Sequence, residues 1–264
     1  AIALEGVDWE MIFVDDDSPD GTAKALREMA QSDRRVRCIQ RVGRRGLSSA
    51  CIEGMLASSA PVVAVIDADL QHDERLLPKM FELIESEPLD VVVGSRYAES
   101  GGIGNWDASR AAASKFATRL AHLVLKADLK DPMSGFFMIR HDAFLACVRQ
   151  GISGVGFKIL LDLFATSPVP LRYKELPYEF RTRVAGESKL DSNVAWEFFI
   201  MLLDKFTHGV VPIRFIAFAL VGGLGLLFVV GRRYVGRGRA VAAASAAAPT
   251  VVEDDDYADK LDDE

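Results

Sequence analysis

Short unbroken apolar runs alternate with amphipathic stretches along the first half of the chain, and each run ends in polar residues. Residues 10–14 (E-M-I-F-V), 35–41 (R-V-R-C-I-Q-R), 62–66 (V-V-A-V-I) and 89–93 (L-D-V-V-V) are short and rich in β-branched side chains, which predicts strands. Helices are predicted between them, from Thr22 through A-K-A-L-R-E-M-A, over 47–57 and over 74–87. Strand and helix taking turns predict a parallel sheet with right-handed crossovers. The run at 62–66, apolar throughout, reads as a strand buried on both faces.

The second half is less regular. A long helix is predicted over 108–126, a turn into a strand over 131–140, a helix over 156–164 and an extended segment over 171–180. The segment R-T-R-V-A-G-E-S-K-L, at 181–190, is a polar, basic loop with no core signal. A helix with a broad apolar face follows over 193–206. Residues 210–230 hold one charge, Arg214, and Gly222, Gly223 and Gly225 would let helices approach closely there. That stretch is near the roughly 20 residues that cross a bilayer. The organisation expected is a catalytic domain over 1–192, an amphipathic interfacial helix over 193–209, a candidate transmembrane helix over 210–231 and a disordered tail, basic then acidic, over 232–264.

Composition adds limits. A chain of 264 residues, half hydrophobic and a quarter charged, is ordinary for one large α/β domain with an appendage. The net charge of -7 argues against a general nucleic-acid binder. Much of that acid sits in the tail, as Glu253, Asp254, Asp255, Asp256, Asp259, Asp262, Asp263 and Glu264. Cys38, Cys51 and Cys147 make no CxxC or other metal spacing, which points to a reducing compartment. The opening, A-I-A-L-E-G-V-D-W-E, reads as the end of a helix running into a strand, with no methionine and no signal peptide, so the natural protein is expected to start further upstream.

The chemistry gathers where the strands end. Asp67 and Asp69 follow the run at 62–66, and ligands of open α/β sheets bind beyond the carboxyl ends of strands. Two carboxylates one residue apart, with Gln71 as a neutral oxygen, suit magnesium or manganese, which take oxygen ligands and bridge to substrate phosphate. Asp73 reads as a helix N-cap. Asp15 and Asp16 end the strand at 10–14, ahead of the turn D-S-P-D-G. Arg96 ends the strand at 89–93, and Arg110 opens a helix, where backbone N–H groups favour an anion. Asp131 is either a structural turn residue or part of an acceptor site. No G-x-G-x-x-G follows a strand and no G-x-x-x-x-G-K-[ST] occurs, so dinucleotide and P-loop chemistry are disfavoured.

Six strings in one order resemble the family 2 glycosyltransferases, and within them the dolichol- and polyprenol-phosphate mannose synthases. They are V-D-D-D-S-P-D-G-T at 14–22, D-A-D-L-Q-H at 67–72, G-S-R-Y at 94–97, D-P-M-S-G-F-F at 131–137, G-F-K at 156–158 and R-V-A-G-E-S-K-L at 183–190. The resemblance implies a GT-A fold with a mostly parallel sheet, a GDP-mannose donor, Mg2+ or Mn2+, a dolichyl or polyprenyl phosphate acceptor, and a membrane-associated enzyme whose catalytic domain faces the cytoplasm. It implies that Val14 and Asp16 touch the guanosine, and that Asp67, Ala68 and Asp69 hold nucleotide and metal, with Gln71 a metal ligand. By the same resemblance Arg183 and Lys189 grip the donor diphosphate, and Arg96 and Arg110 receive the acceptor phosphate. The family's first strand, with its P-T-Y-N-E-like loop, has no counterpart here. Mannose transfer with inversion is the leading reading. A sister enzyme using UDP-glucose or another sugar nucleotide is one alternative, and an inactive nucleotide-binding subunit is another. A processive synthase is disfavoured, since no Q-x-x-R-W occurs.

Overall fold

The computed structural model describes residues 4, 6–98, 102, 117–122, 124–125, 127–154, 156–181 and 201–202. The chain divides into two units, Ala1–Ile213 and Arg214–Glu264, and every described residue belongs to the first.

The alternation read from the sequence is present. The strand β1 (Met11–Asp15) leads to α1 (Thr22–Ser32), β2 (Val36–Gln40), α2 (Leu47–Leu56) and β3 (Val62–Val65). A 3-10 turn over Glu74–Leu76 runs into α3 (Leu77–Ser86), with Pro78 in its first turn, where the missing N–H costs nothing. Then come β4 (Val91–Ser95), β5 (Phe137–Arg140), α4 (His141–Arg149), α5 (Ile159–Thr166) and β6 (Tyr173–Pro177). Residues 117–121 and 201–202 are also helical. The helix α4 was not expected; its signal is the spacing of Phe144 and Cys147, both buried, between Asp142 in the first turn and Arg149 in the last.

The sheets are mixed, where a mostly parallel sheet was expected. β1 pairs with β2 in parallel, and β4 with β6 in parallel. β3 and β4 are not neighbours, because β5 lies between them and is antiparallel to both. β3 is thus an edge of its four-stranded sheet, in the order β3-β5-β4-β6, with Val63 and Val65 buried and Ala64 exposed. The strand buried on both faces is β4, all five of whose residues are buried.

Two layers of core flank this sheet. On one side Val91, Val93, Phe137 and Ile139 pack with Phe144, Cys147, Leu160 and Leu163 of α4 and α5. On the other, Val92, Met138 and Phe136 pack with Met80, Leu83 and Ile84 of α3 and with Tyr178 and Phe180. Glycine is required in β4 at Gly94, where a Cβ would come within 2.7 Å of the Phe136 ring. The predicted helix over 108–126 is described only in part, and the segments 182–200 and 203–264 lie outside the described residues. These include most of the amphipathic helix and all of the candidate span at 210–231. Among the described residues, no helix is long and apolar enough to cross a membrane.

Candidate functional site

Two strand ends carry the predicted acids. At the end of β1, Asp15 is buried and accepts a hydrogen bond from the Ser18 N–H at 3.0 Å, so it shapes the turn. Asp16 is half-buried and faces Arg41, which is 1 % exposed. Arg41 Nε donates to Asp16 Oδ1 at 2.6 Å, and the Gly46 N–H donates to Oδ2 at 2.9 Å. The remaining nitrogens of Arg41 reach Ser49 Oγ and the Gly46 carbonyl, both at 2.9 Å. Burial pushes the Asp16 carboxyl up, but the hydrogen bonds from Arg41 and Gly46 outweigh it and hold the group below the usual carboxylate range. Arg41 is a residue that the sequence reading missed. It is the last residue of a predicted strand, and a lone arginine there carries no signal of burial.

Val14 lies in β1, paired with Ile39 of β2, and its side chain presses on α2, where a Cβ at Gly54 would come within 3.0 Å of Val14 Cγ2. The side chain is a packing group against that helix.

At the end of β3, the D-A-D-L-Q-H loop turns sharply through Leu70, whose φ of 61 lies in the left-handed region. A non-glycine residue there costs roughly 1–2 kcal/mol, which the surrounding ties must offset. Asp69 Oδ1 accepts from the Gln71 N–H at 3.1 Å. Gln71 is buried and donates its side-chain amide to the Arg181 carbonyl at 2.9 Å, so any metal ligation falls to its amide oxygen. The Arg181 N–H returns a bond to the Gln71 carbonyl, also at 2.9 Å. Arg181 closes the clamp through Asp73 and Glu74, at 2.8 and 2.9 Å. Asp73 also accepts from the Arg75 N–H, which is the expected capping role. Ala68 is exposed on the loop.

Asp67 faces a backbone with no side chain: a Cβ at Gly135 would lie 2.7 Å from Asp67 Oδ2. That glycine belongs to D-P-M-S-G-F-F, so two strings 68 residues apart meet at one carboxylate. The same turn is tied to G-F-K, whose Lys158 donates to the Met133 carbonyl at 3.2 Å. The helix α2 packs against both β1 and β3. On it, burial, then the Asp67 carboxylate, push the Cys51 thiol up to about 12, with Arg41 opposing and Asp16 adding.

Arg96, which the resemblance assigns to the acceptor phosphate, is held by Asp131: its Nε and one Nη hold the two oxygens of Asp131 at 2.7 Å each, and its own N–H adds a third bond at 3.0 Å. Both residues are buried. Burial alone would lower the Arg96 guanidinium; Asp131 more than offsets this and raises it. Asp131 is thus the anchor of a buried pair, and its chain N–H donates to Glu175 at 3.1 Å. Tyr178, on the exit of β6, lies 2.7 Å from His72 Nδ1, and burial, opposed by Arg96 and reinforced by Asp131, Asp67 and Asp69, pushes its phenol up. Arg110, Arg183 and Lys189 lie outside the described residues.

A divalent cation fits this donor set. Asp67 and Asp69 are half-buried carboxylates on one turn, and the Gly135 cradle leaves Asp67 room. Among the described residues no group of three His, Cys, Asp or Glu side chains is placed to hold a metal by itself; Mg2+ is often held by one or two carboxylates together with a substrate phosphate.

Comparison with known proteins agrees on the family. The model for glycosyl transferase family 2 matches residues 1–147. A dolichol-phosphate mannosyltransferase of Pyrococcus furiosus is 37% identical over 231 residues, covering 85% of this chain and 63% of that protein. A dolichol-phosphate mannosyltransferase of Saccharomyces cerevisiae is 36% identical over 202 residues, covering 75% of this chain and 74% of its own. Among solved structures, glucosyl-3-phosphoglycerate synthase from Mycobacterium tuberculosis, in complex with UDP, is similar at 19% identity. That similarity covers 74% of this chain and 68% of that one, with a TM-score of 0.48.

Proposed function

The chain belongs to glycosyl transferase family 2, and from that premise we propose that it moves mannose from GDP-mannose to dolichyl or polyprenyl phosphate. The observation that carries this reading is the pair of acidic strand ends joined by α2, with Asp16 held by Arg41 and Asp67 held open by Gly135. The first is suited to the nucleoside, the second to the diphosphate and its cation, in a GT-A-like arrangement.

Asp67, Asp69 and the Gln71 oxygen would hold Mg2+ or Mn2+, which supplies positive charge against the leaving diphosphate. Arg183 and Lys189, in the segment that starts two residues past the Arg181 clamp, would add to that charge. The acceptor needs no strong base, because a phosphate monoester, with a second pKa of about 6, is already a dianion near neutral pH. Asp131 is accordingly free to serve as the partner of Arg96. Attack by the acceptor oxygen opposite the diphosphate inverts the sugar carbon. Arg96, anchored by Asp131, and Arg110 would meet the acceptor phosphate. A lipid acceptor calls for membrane association, with the catalytic residues on the cytoplasmic side.

The test is transfer of radiolabel into lipid, using membranes that contain polyprenyl phosphate and either GDP-mannose or UDP-glucose. Label from GDP-mannose that disappears with a chelator is the expected result. A preference for UDP-glucose would make this a sister enzyme on the same lipid. No transfer from any sugar nucleotide, with GDP still bound, would leave a nucleotide-binding subunit.

A further inference from the structure

The loop that carries Asp67 also carries a histidine which neither the fold nor the proposed donor chemistry explains. His72 is buried within a cage of rings, with centroids 5.5 Å from Phe136, 5.7 Å from Tyr178 and 5.3 Å from Phe180. Filling such a cage with a polar ring is costly unless its nitrogens find partners. Both do. Nδ1 lies 2.7 Å from the Tyr178 hydroxyl, and Nε2 lies 3.4 Å from Asp67 Oδ2.

We propose that Tyr178, His72 and Asp67 form a directed hydrogen-bond relay that sets the orientation of the Asp67 carboxylate, so that Tyr178 and His72 are positioning residues for the donor site. The proposal rests on the reading above only for what Asp67 does once it is oriented. The direction follows from donor counting. A neutral imidazole has one N–H and one lone pair. A carboxylate can only accept, so the proton belongs on Nε2, facing Asp67. Nδ1 is then the acceptor, and the phenol must donate to it. The reverse arrangement would set a lone pair against a carboxylate.

The phenol has its proton to give. Burial, opposed by Arg96 and reinforced by Asp131, Asp67 and Asp69, pushes the Tyr178 hydroxyl well above its ordinary value. The relay also has a mechanical sense. His72 and Asp67 are on the loop after β3, whereas Tyr178 is 106 residues from His72, on the exit of β6. One chain of bonds therefore registers the Asp67 loop against the far edge of the sheet, beside the Arg181 clamp on Gln71. At 3.4 Å the last link is long, which suits a contact that orients a carboxylate and leaves its electrons available to another ligand.

The full chain, labelled with 15N-histidine, tests this directly. It has four histidines, and His72→Gln identifies the resonance. The expected wild-type state is a neutral ring protonated on Nε2. Tyr178→Phe keeps the ring in its cage but removes the donor, and should move the Nδ1 resonance while lowering the melting midpoint by no more than the loss of one buried hydrogen bond. The same variant should bind Mn2+, titrated with GDP present, about 10-fold more weakly, as loss of an orienting partner does elsewhere. A wild-type ring protonated on Nδ1 overturns the proposal. So does a Tyr178→Phe variant whose Mn2+ affinity stays within about two-fold of wild type, below the range such partners contribute. If the wild-type protein binds no Mn2+ with GDP, the metal reading of the site fails, and the ring tautomer alone decides the relay.

Discussion

Two arginine–aspartate pairs stand at two strand ends, and they are not alike. At the β1 end, Arg41 is 1 % exposed while Asp16 keeps 28 % of its side chain open. At the β4 end, Arg96 and Asp131 are 8 % and 0 % exposed. The first pair hides its cation and presents its anion to the rim. The second hides both, and joins β4 to the turn before β5. The same two residue types thus serve presentation in one place and architecture in the other, and burial of the acid is what separates them.

The comparison breaks most sharply if Arg96 is removed. Arg96→Ala leaves Asp131 buried without its counter-charge, and loss of one member of a buried pair costs about 3–5 kcal/mol. Urea unfolding should register that loss. A variant as stable as wild type, with a raised KM for the lipid phosphate, would show that the pair serves the acceptor site and not the fold.

Arg41→Ala should cost less stability, about 1–3 kcal/mol, since Asp16 can turn to water, and the loss is that of unmade hydrogen bonds at Gly46 and Ser49. Its mark should be weaker GDP binding, read by calorimetry, with Arg41→Lys restoring only part because a lysine cannot hold Asp16, Ser49 and the Gly46 carbonyl together. Unchanged GDP affinity in Arg41→Ala would reduce this pair to architecture as well.

Gly135→Ala tests the β3 end, where the added methyl must displace the Asp67 carboxylate. The atom that yields is the end of a side chain, so the fold should survive with a near-normal melting midpoint. Turnover should fall about 10-fold, the scale of a disturbed metal ligand. Wild-type turnover would show that the orientation of Asp67 does not matter.

The smallest effect is one of pH. The folded Asp16 carboxyl titrates below its unfolded value, so its contribution to stability is complete above the ordinary carboxylate range. It is lost as pH falls through the lowered folded value. Asp16→Asn should therefore flatten the acid limb of a stability–pH curve slightly, and a limb identical to wild type would show that Arg41 does not hold the carboxylate.

Much of the fold was legible. The β-branched runs became strands within one or two residues, and Asp16, Asp67 and Asp69 follow strand ends as their place after those runs implied. The helix His141–Arg149 was overlooked because its apolar spacing is brief and it follows a strand without a break. Burial of the run at 62–66 was overstated, since an edge strand and a central strand can share one composition, and only neighbours distinguish them.

By itself the sequence determined where elements begin and end and which acids stand at their ends, because helix and strand periods and turn residues act over a few neighbours. Tertiary structure alone decided the partners. β5 came between β3 and β4, Arg96 met Asp131 35 residues away, Arg41 met Asp16 25 residues back, and His72 met Tyr178. The physical reason is that ladder bonds, ion pairs and ring contacts depend on distance and burial in space. A chain carries no local mark of which distant group will arrive beside it.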